Sequence, residues 1–249
     1  MALHETARFS RLSIAASLFI GLVIFSLGGL GATGAWAQSG VSGCGSLDNA
    51  YGPYDYRTDL DKLPIVLGAH FTPAVEALVR GTTSSRPGGD IDYTLRAIPN
   101  NPRALIAMMR LGEKEKTPQP SGSRYSVECW FDRAVRFRPD DVIVRMIYST
   151  YLNKQGRLAD ATSQLKIATT YAKDDAFAHY NIGLHYFDLK NYDQALAEAH
   201  KAIALGFTQT ALRDKLQSVG KWTEPTNTTT APAAASAPAS APAAGAEVK

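Results

Sequence analysis

The side chains with the greatest chemical potential are two cysteines, Cys44 and Cys129. Neither has a His or a second Cys beside it at metal-ligand spacing, so metal binding by this pair is not expected. In an oxidising compartment two cysteines usually form a disulfide. The bond would close a loop of about 85 residues, for which the chain-entropy model gives a stabilisation on the order of 4 kcal/mol. We therefore expect a Cys44–Cys129 disulfide that ties the N-terminal segment to the rest of the chain.

The remaining reactive side chains do not form a catalytic or metal-binding pattern. His179 and His185 are six residues apart, which places them on different faces of a helix. The turn Pro87-Gly88-Gly89-Asp90 lacks the lysine of a phosphate-binding loop. Other candidates that we interpret as packed or surface groups are His200, Glu113, Glu115 and Glu128. The sequence thus predicts a non-enzymatic protein without a cofactor or metal site.

The charge balance argues against nucleic-acid binding. The chain has 26 basic and 23 acidic side chains, a formal net charge of +3. A nucleic-acid binder would show a basic stripe, and no Lys/Arg cluster here is longer than two residues.

The first 37 residues have the order of a bacterial export signal. Arg8 and Arg11 precede an apolar run over residues 12–30, and Ala35-Trp36-Ala37 is a small-x-small cleavage pattern. We expect cleavage after Ala37 and a periplasmic or secreted protein. One alternative is an uncleaved membrane anchor, because the run approaches the roughly 20 residues that span a bilayer. Another is lipidation of Cys44 in the lipobox-like segment 41–44.

Composition separates two further segments from the middle of the chain. Residues 38–70 are rich in tyrosine and turn residues, and we expect an irregular arm there. Residues 222–249 are mostly Ala, Pro, Thr and Ser. Such a segment buries too little apolar surface to offset its ordering entropy, so the sequence predicts a disordered tail.

The middle of the chain repeats with a period of 34 residues. Residues 141–174 align with residues 175–208, so that small residues meet small ones and most large apolar residues meet large ones. Apolar residues in the second copy fall at helical spacing on either side of the polar turn Lys190-Asn191. Neither helix could bury its apolar stripe alone, which predicts pairs of helices packed on each other and on neighbouring pairs.

The second copy resembles a tetratricopeptide (TPR) repeat. Ile182-Gly183-x-x-Tyr186 matches the first-helix signature of that family, and Ala195 and Ala202 match its small second-helix positions. The chain departs from the pattern at three positions: His179, Ala199 and Phe207. The resemblance implies an all-α, TPR-type helical-hairpin solenoid.

The array is expected to span residues 71–221, with its clearest repeats at about 101–139, 141–174 and 175–208. In the first of these we expect helices over 102–114, with Asn101 as N-cap, and over 125–137. A weaker unit would place helices at 72–80 and 90–98, and a polar capping helix at 210–219.

The TPR resemblance also implies a partner-binding groove, lined by the first helix of each repeat. Its residues would be Ile143, Met146, Thr150, Asn153, Lys154, Phe177, Tyr180, Leu184, Phe187 and Asp188. This aromatic and apolar surface suits a protein or peptide with apolar anchors. We therefore expect a scaffold in the bacterial envelope. The alternatives are a glycan or cell-wall binding module that uses the tyrosines of the arm, and an enzyme with an undetected site.

Overall fold

A computed structural model describes residues 43–225 of the chain. The expected signal peptide, its cleavage site, the first part of the lipobox-like segment and the tail beyond residue 225 lie outside the described residues. Over the described range the chain forms ten α-helices and no β-strand. No helix there is long and apolar enough to cross a membrane.

The helices follow one another with short connections except before α3 and α5. Their bounds are α1 Leu63–His70, α2 Pro73–Glu76, α3 Pro87–Ala97, α4 Pro102–Glu115, α5 Val127–Phe137, α6 Val142–Lys154, α7 Leu158–Ala172, α8 Ala176–Asp188, α9 Tyr192–Ala204 and α10 Ala211–Ser218.

Neighbouring helices pack in pairs. The pairs α6–α7 and α8–α9 make the most extensive contacts, and α7 packs against α8 to join them. The first members of successive pairs also touch, since α4 contacts α6 and α6 contacts α8. The predicted all-helical architecture of packed helix pairs is therefore confirmed.

Side-chain caps fix where five of these ten helices begin. Asn101 Oδ1 accepts hydrogen bonds from the backbone N–H groups of Arg103 and Ala104 at 3.1 Å, as its expected N-cap role requires. Asp141 and Asp175, one repeat apart, cap α6 and α8 by accepting from Val144 N at 3.1 Å and Ala178 N at 3.0 Å. The same residue type at the same repeat position thus starts both helices.

Three apolar cores lie along residues 43–225. The first joins α2 to α7 around Trp130 and Phe131, and the second joins α6 to α10 around Leu165 and Ile182. A third, smaller core packs α1 and the end of α3 against the tyrosines of the arm.

Four boundary predictions require correction. Pro87-Gly88-Gly89-Asp90 is the start of α3 and not a turn, so this helix begins three residues before the predicted 90–98 segment. The arm is not irregular throughout, because α1 forms within it and buries Leu63 and Val66 against the third core. The helix predicted over 72–80 is only the four-residue α2, since Leu78 takes a left-handed backbone with φ of 57°. The tail does not begin at residue 222, because Trp222 packs against the second core and its Nε1 donates to Glu224 Oε1 at 3.0 Å.

Candidate functional site

The candidate partner surface lies on α6 and α8, which occupy equivalent positions in successive pairs. Ile143 and Phe177 are each the second residue after a capping aspartate, and they are 34 residues apart. Both are large apolar residues that remain exposed, Ile143 at 49% and Phe177 at 62%. Since α6 and α8 contact each other, the structure presents two adjacent helices with an open apolar side chain at the same position.

The aromatic surface around Phe177 extends beyond the predicted residues to Phe207. The Phe207 ring lies 6.0 Å from the ring of Phe177 and 4.6 Å from that of Tyr180, measured between centroids. Ile203 in α9 is 40% exposed and, together with Tyr180 and Phe207, lines a small cleft. Sequence reasoning noted Phe207 only as a departure from the repeat pattern. The sequence feature that could have indicated this role is Phe207 itself, an aromatic residue where TPR repeats usually have proline.

Two predicted groove residues are not available to a partner. Met146 is 8% and Tyr180 is 7% exposed, and both belong to the second core. The prediction is corrected because these side chains point between helices, where burying apolar area is more favourable than leaving it in water. Their contribution is to support the exposed residues next to them.

Of the remaining predicted residues, Thr150 lies at the contact between α6 and α8. Thr150 Oγ1 donates to Met146 O at 3.2 Å and lies 3.3 Å from Nδ1 of His185 in α8. Burial lowers the pKa of His185 below its usual value, so the imidazole there is held neutral. The other residues are half-buried or exposed: Asn153, Lys154, Leu184, Phe187 and Asp188. The Phe187 ring is covered in part, with Lys215 Nζ 5.2 Å from its centroid.

The predicted disulfide between Cys44 and Cys129 is present. It uses the thiol that lipidation of Cys44 would require, and it indicates a non-reducing environment for the folded protein. The arm is held beside the bond by the buried Arg133 of α5, whose Nη1 donates to Cys44 O at 2.9 Å and to Ser46 O at 2.5 Å.

A buried polar node, which sequence reasoning missed, holds the next part of the arm. The Asp55 carboxylate accepts from Arg57 Nη2 at 2.9 Å and from Asn100 Nδ2 at 2.7 Å, and Arg138 Nε lies 2.6 Å from it in an ion pair not aligned as a hydrogen bond. Asn100 Nδ2 also donates to Asp141 Oδ2 at 2.9 Å. Burial would raise the pKa of Asp55, but the hydrogen bonds from Arg57 and Asn100 outweigh it and lower the pKa well below its usual range.

A second missed cluster surrounds Asp90, a fully buried carboxylate in α3. It accepts from the backbone N–H of Thr82 at 2.7 Å, from the Thr83 hydroxyl, from Ser84 Oγ at 2.8 Å and from His70 Nδ1 at 3.0 Å. These hydrogen bonds overcome the effect of burial and lower the pKa of Asp90. The cluster fixes the loop before α3 and orients His70, whose ring stacks on Tyr93 at 3.9 Å between centroids.

His179 and His200 each make hydrogen bonds to other groups of the protein. His179 Nδ1 lies 2.6 Å from Glu198 Oε2, and its Nε2 lies 2.7 Å from Lys173 O, both within the buried α7–α8–α9 junction. His200 Nε2 lies 2.8 Å from Thr223 O and helps to hold the segment after α10.

Comparison with protein-family models, with curated proteins and with solved structures finds no significant match to this chain.

Proposed function

We propose that this chain is an exported, TPR-type solenoid that acts as a non-enzymatic scaffold in the bacterial cell envelope. The observation that carries the proposal is the pair of exposed apolar residues, Ile143 and Phe177, at the same repeat position of adjacent helices. Exposed apolar side chains that recur at a fixed spacing on a rigid surface favour a protein ligand over a solvated surface.

The packing of the helices supports the TPR assignment. First helices contact first helices, and each second helix contacts the first helix of the next pair. Gly183 stands at the small first-helix position of the family signature, and a Cβ there would lie 3.3 Å from Ala195 O in α9. That close approach is the role that the family gives to this position.

The setting is supported by two features of the N-terminal part. The segment 1–37 has the order of an export signal. The disulfide fits the oxidising compartments that such signals lead to. The partner would be a protein segment with apolar anchors, an amphipathic helix or an extended peptide, seated on α6 and α8.

The glycan-binding alternative needs open aromatic faces, and the best-placed tyrosines are engaged within the protein. Tyr93 carries the His70 ring on one face, and the Arg96 guanidinium lies over the ring at 5.0 Å. Tyr51 packs edge to face on Tyr54 with 5.0 Å between centroids. The geometry therefore favours the scaffold.

The test is affinity capture from the native envelope with the full chain and three substituted forms. Ile143→Lys and Phe177→Lys place a charge on the proposed surface without disturbing the core. Leu158→Lys is the matched control, because Leu158 is 52% exposed but lies on α7, a second helix. We expect a protein that is recovered with the wild type and with Leu158→Lys, and lost with the other two. Retention on cell-wall glycan with no protein recovered would favour the alternative and refute the scaffold.

A further inference from the structure

The histidine at the end of α1 is held in one orientation by a buried carboxylate. His70 Nδ1 lies 3.0 Å from Asp90 Oδ1 and 2.7 Å from the hydroxyl oxygen of Thr83. The hydrogen bonds around Asp90 lower its pKa, so the group that faces Nδ1 is an ionised carboxylate, which can only accept. The Thr83 hydroxyl donates to the same carboxylate, which leaves its oxygen to accept as well. Nδ1 therefore carries a proton, and in the neutral ring Nε2 is a bare acceptor.

Asp90 does not need His70 to satisfy its own oxygens. The backbone N–H groups of Thr82, Thr83 and Ser84 and the hydroxyls of Thr83 and Ser84 supply five donors. A carboxylate has about four lone-pair sites, so these donors already occupy it fully. What the contact with Nδ1 adds is control of the ring, because it sets the tautomer of His70 and the direction of Nε2.

The ring held in this way lines a surface depression whose other walls are apolar or aromatic. The depression has a volume of about 300 Å³ and is lined by Tyr51, Ile65, Val66, Ala69, His70 and Tyr93. The His70 side chain is 19% exposed, and within residues 43–225 its Nε2 makes no hydrogen bond. Small-molecule sites in proteins combine apolar walls of this kind with a few polar atoms in fixed directions.

We propose that this depression binds a small neutral molecule with an aromatic body and a hydroxyl group, whose hydroxyl donates a hydrogen bond to His70 Nε2. An enclosed cavity of about 150 Å³ holds one benzene ring, so the volume suffices for a single-ring ligand. The Tyr93 ring, stacked on His70 with 3.9 Å between centroids, and the neighbouring Tyr51 give walls that suit an aromatic body.

The charges beside the ring favour a neutral hydroxyl over a carboxylate. An anionic ligand would require a second proton on the imidazole and would share it with Asp90, so that two negative groups would face one positive ring. Arg96, whose guanidinium lies over the Tyr93 ring, is already paired with Asp92 at 2.9 Å. A hydroxyl needs no additional proton, because Nε2 accepts from it directly. A purely apolar ligand would displace water from Nε2 and give it no donor in return.

The tautomer of His70 is measured first, by nitrogen NMR of the histidine rings in the full chain at about pH 8, where an unperturbed imidazole is neutral. His70→Phe identifies the His70 signals by their loss. We expect a protonated Nδ1 and a bare Nε2. A bare Nδ1 would overturn the proposal, because the ring would then offer a donor to the depression and no acceptor.

Binding is then measured with three probes that share one body: p-cresol, p-toluate and toluene. We expect p-cresol to shift the His70 ring signals and to bind about 3- to 10-fold more tightly than toluene, as a single hydrogen bond predicts. We also expect p-toluate to bind more weakly than p-cresol. Equal affinity for p-cresol and toluene, tighter binding of p-toluate, or no shift of the His70 signals with p-cresol would each overturn the proposal.

Substitutions separate the hydrogen bond from the apolar walls. His70→Phe keeps a ring beside Tyr93 but has no acceptor, so p-cresol and toluene should bind it equally. The matched control is His200→Gln, which removes an imidazole that bonds Thr223 O and should keep the preference for p-cresol. A preference that persists in His70→Phe would overturn the proposal. The site shares no residue with the α6–α8 surface, so Ile143→Lys and Phe177→Lys should leave binding of p-cresol unchanged even if the scaffold function fails.

Discussion

The C-terminal half of the described structure, from α6 to α10, packs mainly through small and apolar residues, with a buried polar junction at His179 and Glu198. In the N-terminal half, buried polar groups and a covalent bond add to the apolar core around Trp130 and Phe131. Gly183, Ala195, Ala199 and Ala202 let α8 and α9 pack closely. Asp55, Asn100 and the disulfide join segments that are far apart in sequence. The first arrangement tolerates many apolar sequences with the right spacing, while the second depends on individual residues.

The largest effect is expected from removing the disulfide, which tests how far the N-terminal half depends on it. The double substitution Cys44→Ser and Cys129→Ser should lower the free energy of unfolding by on the order of 4 kcal/mol, because the unfolded chain regains the entropy of a long loop. Urea denaturation measures the loss. Hydrogen exchange should show faster opening over residues 43–62 than in α8 and α9. Equal acceleration in both halves would contradict the comparison.

The next effect concerns the Asp55 node. Asp55→Asn should cost about 2–3 kcal/mol, less than a fully buried ion pair because Arg57 and Arg138 are partly exposed and water screens them. The matched control is Asp140→Asn, whose carboxylate is 52% exposed and also contacts Arg57. It should cost about 0.5 kcal/mol or less. Equal losses for the two substitutions would show that burial at the node is unimportant.

The same node predicts a loss of stability in acid. The folded pKa of Asp55 is lowered from 3.8, so the folded state holds the proton less tightly than the unfolded chain does. The stabilisation is fully present above the unfolded pKa and is lost as pH falls below about 4 toward the folded pKa. Urea denaturation between pH 6 and pH 3 should therefore show a steeper decline for the wild type than for Asp55→Asn, and parallel curves would count against the assignment.

In the C-terminal half the sharpest test is overpacking at Gly183. A Cβ there would collide with Leu212 of α10 and lie 3.3 Å from Ala195 O. Gly183→Val should thus cost about 2 kcal/mol. Leu212→Ala should relieve part of that cost, so the double substitution should be less destabilising than the sum of the two single ones. Strict additivity would mean that α8 and α10 do not meet at this glycine.

The regular half is the part that the sequence could predict in detail. Asp141 and Asp175 recur at the repeat period and cap helices, and α10 forms within the predicted capping segment. Both features depend on contacts close in sequence, so periodicity and capping chemistry reveal them. The exposed pair Ile143 and Phe177 followed from the family resemblance, but its separation from buried Met146 and Tyr180 needed the packed structure.

In the N-terminal half, local signals predicted α4 with its Asn101 cap and the position of α5, but contacts distant in sequence could be predicted only where chemistry leaves few choices. Two cysteines allow one disulfide, and that prediction is confirmed. Asp55 meets Asn100 across 45 residues, and Asn100 meets Asp141 across 41, with no periodic pattern to indicate either contact. Asp90 was interpreted as part of a turn, but it lies in the first turn of α3. Its six donors come from the preceding loop and from His70, which only the folded chain brings together.

The smallest predicted effect is a pH dependence in the regular half at His185, between α6 and α8. Burial lowers its folded pKa below 6.5, so the unfolded chain binds a proton more readily than the folded one. The neutral imidazole contributes fully above the unfolded pKa, and stability is lost as pH falls through about 6.5. Relative to His185→Gln, the free energy of unfolding of the wild type should fall by about 1 kcal/mol or less between pH 7.5 and pH 5.5.

The control His200→Gln removes an imidazole that bonds Thr223 O near the surface. If it changes the slope as much as His185→Gln does, the pH dependence does not come from the contact between the first helices. If only His185→Gln makes the free energy of unfolding depend less on pH, the contact between α6 and α8 weakens in mild acid. These are the two helices that carry Ile143 and Phe177.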